Sequence, residues 1–379
     1  MPEPESSGVS GTATAPVGGS EGLTERPVVS ALQLESFRCF ESVSLEPVAG
    51  FNVIAGGNGS GKTSLLEALY FLGRGVSFRV SRPDAAVRHG DGRSTVFARL
   101  GVGLNTRAGL EIARGEGVSI RVDGEPGTRA DLVRALPVQL LDPGSHELVA
   151  GPPAGRRQFL DWGVFHVEQQ FLPAWQRYRR GLQQRNAALR AGSARDAWLW
   201  DGTLIAESEV IDASRRHVIA SLQPLVGAMA QQLLDAELTI DYLPGWADGE
   251  LLANALEGNR DRDLQMGSTT VGPHRADLRI SLYARRARES VSRGQEKLVA
   301  ASLILAQLQL VNRSRRQPVV LLLDEPGADL DRDHLQRLLG QVAAMPAQAF
   351  VTSLDAAALR LPAAARVFHV EHSKVQVLL

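Results

Sequence analysis

Residues 51–64 read Phe51-Asn-Val-Ile-Ala-Gly-Gly-Asn-Gly-Ser-Gly-Lys-Thr-Ser64, an apolar run that breaks into glycines and then into a helix-forming segment. Gly56, Gly61, Lys62 and Thr63 fill the pattern G-x-x-x-x-G-K-[ST], a glycine-rich turn whose backbone N–H groups converge on phosphate oxygens. Phe51, Val53 and Ile54 suit a buried strand leading in. Leu65, Leu66, Leu69 and Leu72 recur at helical spacing up to Gly73, where a helix can end. The N-terminus of that helix adds partial positive charge at the loop. A nucleotide cradle is therefore expected from Gly56, Gly57, Asn58, Gly59, Ser60, Gly61, Lys62, Thr63 and Ser64. Lys62 would reach the β- and γ-phosphates, and the Thr63 hydroxyl would ligate Mg²⁺.

Far down the chain, Pro318-Val-Val-Leu-Leu-Leu323 reads as a fully buried strand that delivers two adjacent carboxylates, Asp324 and Glu325, at its C-terminal end. Parallel strands present ligand groups there. Asp324 would hold Mg²⁺, and Glu325 would polarise the attacking water for γ-phosphate hydrolysis, a catalytic role beside Lys62. Before that strand, Ser292-Arg293-Gly294-Gln295 has capping-box spacing and opens an apolar helix from Leu298 to about Val311, so its N-terminus would attract an anion. After it, the strand Ala349–Ser353 ends in Thr352 and Ser353, whose hydroxyls could meet the γ-phosphate.

Bulk composition narrows the setting. A chain of 379 residues, 44% hydrophobic, holds two or three lobes, and a formal charge of −1 confines any nucleic-acid binding to a local basic patch. Cys39 is the only cysteine, which rules out an internal disulfide and fits a reducing cytoplasm. No apolar run approaches a membrane span, and a secretory signal is not expected. The 41 basic residues include only three lysines, Lys62, Lys297 and Lys374, so a retained lysine hints at a place for a compact ammonium.

Residues 1–28 mix Pro, Gly, Ser, Thr and Glu and are expected to form a disordered tail. Residues 29–158 are expected to form the first part of an ATPase lobe. Two short strands over Leu32–Leu45 would feed the Phe51 strand, and a meander over residues 94–123 would turn at Asp123-Gly124. Arg74 and Arg79 flank a basic loop that could touch nucleotide or DNA, and Gln139 is a polar oddity in the apolar strand Val138–Leu141. Residues 159–265 read as a mainly helical second lobe, with one helical segment over Phe159–Arg190 and an apolar stripe from Ile211 to Leu233. Arg177, Arg179, Arg180, Arg185 and Arg190 form the best basic patch in the chain. DNA contact is expected from Arg177, Arg180, Arg185 and Arg190. Residues 266–379 return to the ATPase lobe and close in a pair of strands; His274 reads as structural, and His369 and His372 have no matching metal-ligand set. Ser60 lies outside a G-x-S-x-G elbow, because Asn58 replaces the first glycine.

Together the phosphate loop, Gln139, Ser292-Arg-Gly-Gln, Leu-Leu-Leu-Asp324-Glu325-Pro and Leu330-Asp331 resemble the motif set of an ABC-type ATPase head. Phe37-Arg38, Phe159-Leu-Asp-Trp-Gly163, Gln184-Arg-Asn-Ala-Ala-Leu-Arg190 and Gly272-Pro-His narrow the likeness to the RecF family of SMC-like, bacterial gap-repair ATPases. The fold class implied is α/β, a P-loop ABC-type head with an added antiparallel β-subdomain and a mainly helical second lobe. The resemblance also implies an ATP-dependent homodimer, in which Ser292, Arg293, Gly294, Gln295 and Asp331 of one copy contact ATP held by the other. Gln139 would touch Mg²⁺, and Thr352–Ser353 would stand in for the switch histidine of transporters. The implied partners are double-stranded and gapped DNA, with RecO and RecR, in assistance of RecA loading.

The alternatives are a transporter ATPase subunit, another SMC-like ATPase and a clamp gated by ATP binding alone. A transporter signature normally lies much nearer the phosphate loop than the 230 residues between Lys62 and Ser292. A long-armed SMC protein would need a far larger heptad insertion than Ile211–Leu233 offers.

Overall fold

A computed structural model describes residues 28–101, 106–315, 318–361 and 364–378. The expected tail lies, up to residue 27, outside the described residues. The central sheet runs in the order Lys374–Leu378, Arg366–Glu371, Phe51–Ala55, Ala347–Ser353, Val319–Leu323, Val138–Leu141. Its inner strands are parallel, and Lys374–Leu378 adds an antiparallel edge.

Phe51–Ala55, Ala347–Ser353, Val319–Leu323 and Val138–Leu141 are buried on both faces, which is why they read as apolar runs rather than as alternation. Val320, Leu322, Ile54 and Phe350 point to one core; Val319, Leu321, Leu323, Val53 and Val351 point to the other. The first face carries the helix Lys62–Arg74, whose Leu65, Leu66, Leu69, Phe71 and Leu72 are fully buried. Each such side chain contributes roughly 1.5–3 kcal/mol. The second face is covered by the helices Pro153–Val167, Asp201–Leu234 and Arg293–Arg315.

The first core is closed by a second, antiparallel sheet in the order Phe40–Leu45, Val29–Phe37, Arg93–Leu100, Arg107–Ala113, Gly117–Val122, Glu125–Pro126. The meander matches the sequence pattern, with Asp123 and Gly124 at φ 55° and 91° in its tight turn. The two strands expected ahead of Phe51 are both present, as Val29–Phe37 and Phe40–Leu45. Val29–Phe37 pairs with Arg93–Leu100 and Phe40–Leu45 with Val29–Phe37, because Leu32, Leu34, Phe37 and Phe40 point to the β-sheet side of the core.

In the helical region, the single segment expected over residues 159–190 is two helices, Pro153–Val167 and Phe171–Arg190, and the apolar stripe lies on the helix Asp201–Leu234. A small three-stranded sheet, Arg285–Arg286, Asp277–Leu282 and Leu238–Leu243, completes this side.

Candidate nucleotide site

The Phe51 strand ends at Gly56, whose N–H donates to Ser353 O at 3.2 Å. Packing enforces glycine here: a Cβ on Gly56 would lie 2.3 Å from Val370 O. On Gly61, where φ is 118°, it would lie 2.6 Å from Phe40 Cζ and 2.9 Å from Cys39 Sγ. Lys62 opens the helix and folds back over the loop, donating to Gly56 O at 2.9 Å and Gly57 O at 3.0 Å. Ser60 Oγ is buried without a hydrogen-bond partner. An orphaned hydroxyl within a turn of backbone N–H groups suits an anion.

The acidic pair meets this loop across one intervening strand, Ala347–Ser353. Asp324 Oδ1 accepts from Thr63 Oγ1 at 3.2 Å and from Thr352 Oγ1 at 2.7 Å. The Thr352 hydroxyl in turn accepts from Glu325 N at 2.8 Å. Glu325 has φ 45°, a left-handed conformation, and its Oε1 lies 3.8 Å from Lys62 Nζ. Thr63 and Asp324 supply the hard oxygen donors that Mg²⁺ takes, so the residues present fit the ion. No cluster of three or more His, Cys, Asp or Glu able to hold a metal occurs among the described residues. A Mg²⁺ here would be carried largely by phosphate and water.

Gln139 does not belong to that donor set. It pairs with Leu321, three residues before Asp324 on the neighbouring strand and so about 10 Å down the sheet. Its Nε2 donates to Gln307 Oε1 at 2.6 Å and its Oε1 accepts from Arg74 at 3.2 Å. The polar oddity is satisfied within the core. The expected switch contact is corrected likewise: Thr352 is fully buried behind Asp324, and Ser353 Oγ donates to Asp355 O at 2.7 Å. Thr352 orients the acidic pair and does not face a phosphate.

Ser292 and Gln295 form the capping box their spacing predicts: Ser292 N donates to Gln295 Oε1 at 3.0 Å and Gln295 N to Ser292 Oγ at 3.4 Å. Ser292, Arg293 and Gln295 are exposed. Gly294 approaches the acidic loop so closely that a Cβ would lie 2.9 Å from Asp329 O. Behind it, the buried Lys297 ammonium donates to Ala328 O and, at 3.4 Å, to Glu325 O. Burial lowers its pKa, against the pull of Asp329, Asp142, Glu325 and Asp324. This clasp carries no motif of its own; the scarcity of lysine was its only sequence signal. Asp331 caps the helix Arg332–Ala343, accepting from His334 N at 2.9 Å, and the backbone and ring of His334 hold its carboxyl below the usual range.

Another buried charge escaped the motif reading. Glu67, on the buried face of the first helix, is clasped by Arg38, by Arg79 at 3.4 Å and by Ser77 at 2.5 Å. Arg79 is thus tied inward. The arginine patch also divides. Arg185 is fully buried, bound to Asp201 at 2.8 Å, Asp263 at 2.7 Å and Thr269 at 2.8 Å, so it is removed from the expected DNA contacts. Arg177 is exposed but paired with Glu207 at 2.5 Å, while Arg179, Arg180 and Arg190 are exposed. His274 is structural as expected, held between Tyr178 Oη at 2.7 Å and Thr269 O at 3.0 Å.

A phosphate loop and an acidic pair at the C-terminal ends of parallel strands, with a capped signature turn on a separate helix, define an ABC-type ATPase head. Residues 28–376 match the model of the RecF/RecN/SMC N terminal domain. The chain is 40% identical over 357 residues to the DNA replication and repair protein RecF of Pseudomonas paraeruginosa, across 92% of this chain and 97% of that one. It is 38% identical over 358 residues to the protein of the same description from Shewanella baltica, across 92% and 99%. The chain belongs to the RecF family. Its fold is shared with the recombination mediator protein RecF-ATPrS in the RecFOR pathway, at a TM-score of 0.84 and 23% identity over 94% of this chain and 100% of that one. It is shared more distantly with an Smc head bound to the C-winged helix domain of ScpA, at 0.58 and 16% over 93% and 98%.

Proposed function

We propose that this chain is an ATP-dependent DNA-binding switch of recombinational gap repair and replication restart. ATP binding closes a homodimer on double-stranded DNA, and slow hydrolysis reopens it. The observation that carries this reading is the division of the site. Lys62, Thr63, Asp324 and Glu325 converge at the sheet edge, while Ser292–Gln295 stands exposed at the head of another helix and forms no hydrogen bond to them among the described residues. A two-fold axis would bring the Ser292 turn of one copy over the phosphates held by the other, since a helix N-terminus favours anions.

In that arrangement Lys62 turns from the Gly56 and Gly57 carbonyls to the β- and γ-phosphates. Thr63 and Asp324 would hold Mg²⁺, which would supply charge neutralisation at the phosphate oxygens. Glu325, fixed by Thr352 through its N–H, orients and polarises water for in-line attack. The ATPase lobe comprises residues 29–158 and 266–379, with residues 159–265 as the helical lobe. Solved RecF neighbours described with ATP and ATPrS support the nucleotide. The RecFOR setting of those proteins supports RecO and RecR as partners, and the reading extends to a part in RecA loading and a cytoplasmic place. No helix among the described residues is long and apolar enough to cross a membrane.

Sedimentation with and without ATP tests the reading. Wild type should dimerise with ATP and then bind gapped duplex, whereas Lys62→Met should stay monomeric and lose ATP-dependent binding. Undiminished dimerisation of Lys62→Met would overturn the two-site arrangement.

A further inference from the structure

An asparagine side chain cyclises onto the backbone most readily where glycine follows it, because no Cβ then shields the next nitrogen. The chain has seven asparagines, and only Asn58 precedes a glycine. Asn58 and Gly59 lie within the phosphate loop, and both are exposed.

The local geometry leaves the reacting groups open. Ser60 N donates to Gly57 O at 3.3 Å, so Gly57–Ser60 is a tight turn with Asn58 and Gly59 at its centre. Gly59 has φ 73°, a left-handed value that glycine adopts without strain at the third position of a turn. A Cβ on Gly59 would meet nothing within 4 Å, nor would one on Gly57. The loop therefore needs glycine at 59 for its backbone conformation, and that same glycine leaves its own nitrogen uncovered. Neither the Asn58 carboxamide nor the Gly59 N–H forms a hydrogen bond among the described residues. Cyclisation requires the Asn58 backbone to swing until the Gly59 nitrogen reaches Cγ, and a single 3.3 Å bond across the turn is a weak restraint on that motion.

The other described asparagines are held. Asn52 is fully buried and bonded to Val48 N and O. Asn186 accepts from Thr269 N and Oγ1, and Asn259 donates to Ala255 O at 2.8 Å. Asn254 and Asn312 lie inside helices, where the next nitrogen is part of the helical bonding.

We propose that Asn58 is a site of spontaneous deamidation that ages the nucleotide cradle, and that bound nucleotide protects it. The Gly59 amide, after losing its proton to hydroxide, forms a bond to Asn58 Cγ; the Cγ–Nδ2 bond breaks and ammonia leaves. Water then opens the five-membered imide at one of its two carbonyls. One opening restores the original peptide bond and leaves a carboxylate on the side chain. The other routes the chain through Cγ and leaves the carboxylate on the former backbone carbon. Either way one water is consumed and one ammonia released, with no oxidant or reductant. The new negative charge stands in a loop built to take phosphate oxygens and repels them. The second product also lengthens the turn by one methylene. Phosphate held by the loop's N–H groups fixes the turn and suppresses the reaction. The effect on ATP rests on the reading of residues 56–64 as a nucleotide cradle.

The test ages the purified full chain at mildly alkaline pH, with and without adenylyl imidodiphosphate and Mg²⁺. Samples are dialysed free of nucleotide, then followed by peptide mapping in a mass spectrometer, by isoaspartyl methyltransferase labelling and by ATP titration. Position 58 should convert before any other asparagine, at a rate proportional to hydroxide, and about tenfold more slowly with the nucleotide analogue bound. ATP binding should fall in step with conversion, and fresh Asn58→Asp should bind ATP about tenfold more weakly than fresh wild type. Asn58→Ser has no carboxamide to lose, so whatever its starting affinity it should lose none on ageing. An aged wild-type chain unconverted at position 58 would overturn the proposal, as would conversion at the same rate with the analogue bound. So would full ATP binding by the converted chain, or decay of Asn58→Ser at the wild-type rate. Fresh wild type that binds no ATP would instead overturn the cradle reading itself.

Discussion

The Thr352 hydroxyl donates to Asp324 Oδ1 at 2.7 Å and accepts from Glu325 N at 2.8 Å, so one oxygen fixes both acidic residues. Thr352→Val keeps the volume and removes that oxygen. Leaving buried groups unpaired costs about 1–3 kcal/mol. ATP turnover should therefore fall about tenfold while nucleotide affinity changes much less, as turnover assays and nucleotide titration would measure. A second residue-scale effect follows from buried histidines. Burial pushes His274 from its ordinary 6.5 down to about 4, and His166, with Arg315 beside it at 2.7 Å, to about 2. Both stay neutral in the native chain at pH values where the unfolded chain takes up protons. Stability is thus fully present above about pH 6.5 and declines as pH falls, by about 1.4 kcal/mol per pH unit for each histidine, until the folded pKa is reached. Urea midpoints between pH 7.5 and 5 would show the decline, and His274→Gln should remove about half of its slope. At this scale the sequence was legible where a residue's chemistry is local. Lys62, Thr63, Asp324 and the Ser292 cap sit where their spacing put them. Gln139 and Thr352 were not legible, because Gln307 lies 168 residues from the one and Asp324 contacts the other only across paired strands.

Among the elements, the arginine-rich helix Phe171–Arg190 shows what periodicity can and cannot say. Its apolar positions predicted a packed helix, but five arginines on one helix look alike until the packing partners are known. Those partners, Asp201, Asp263 and Thr269, come from later segments, and they draw Arg185 alone inside. Arg185 therefore pins three helices together: its own, Asp201–Leu234 and Arg260–Met266. Arg185→Met should strand the buried Asp263 carboxylate and cost about 3–5 kcal/mol, whereas exposed Arg180→Ala should stay within about 0.5 kcal/mol. Denaturant midpoints would separate the two. The strands over residues 29–45 carry the same lesson for sheets, since alternation predicted strands while the choice of sheet depended on the facing core.

For the whole molecule, the Lys297 clasp joins two pieces of chain that the proposed dimer would use at different places. The Ser292 turn would serve the partner's nucleotide, whereas the Glu325 loop serves the chain's own. A rigid connection between them makes each bound nucleotide sensitive to the other, because a coupling free energy acts equally in both directions. ATP-driven dimer closure should accordingly be cooperative, with a Hill coefficient above one. Lys297→Met should lower it toward one in turnover assays across ATP concentration, while nucleotide still binds at Lys62. On this view the two-fold axis makes two nucleotides behave as a single vote: a half-loaded pair stays open, and only the doubly loaded pair commits to DNA.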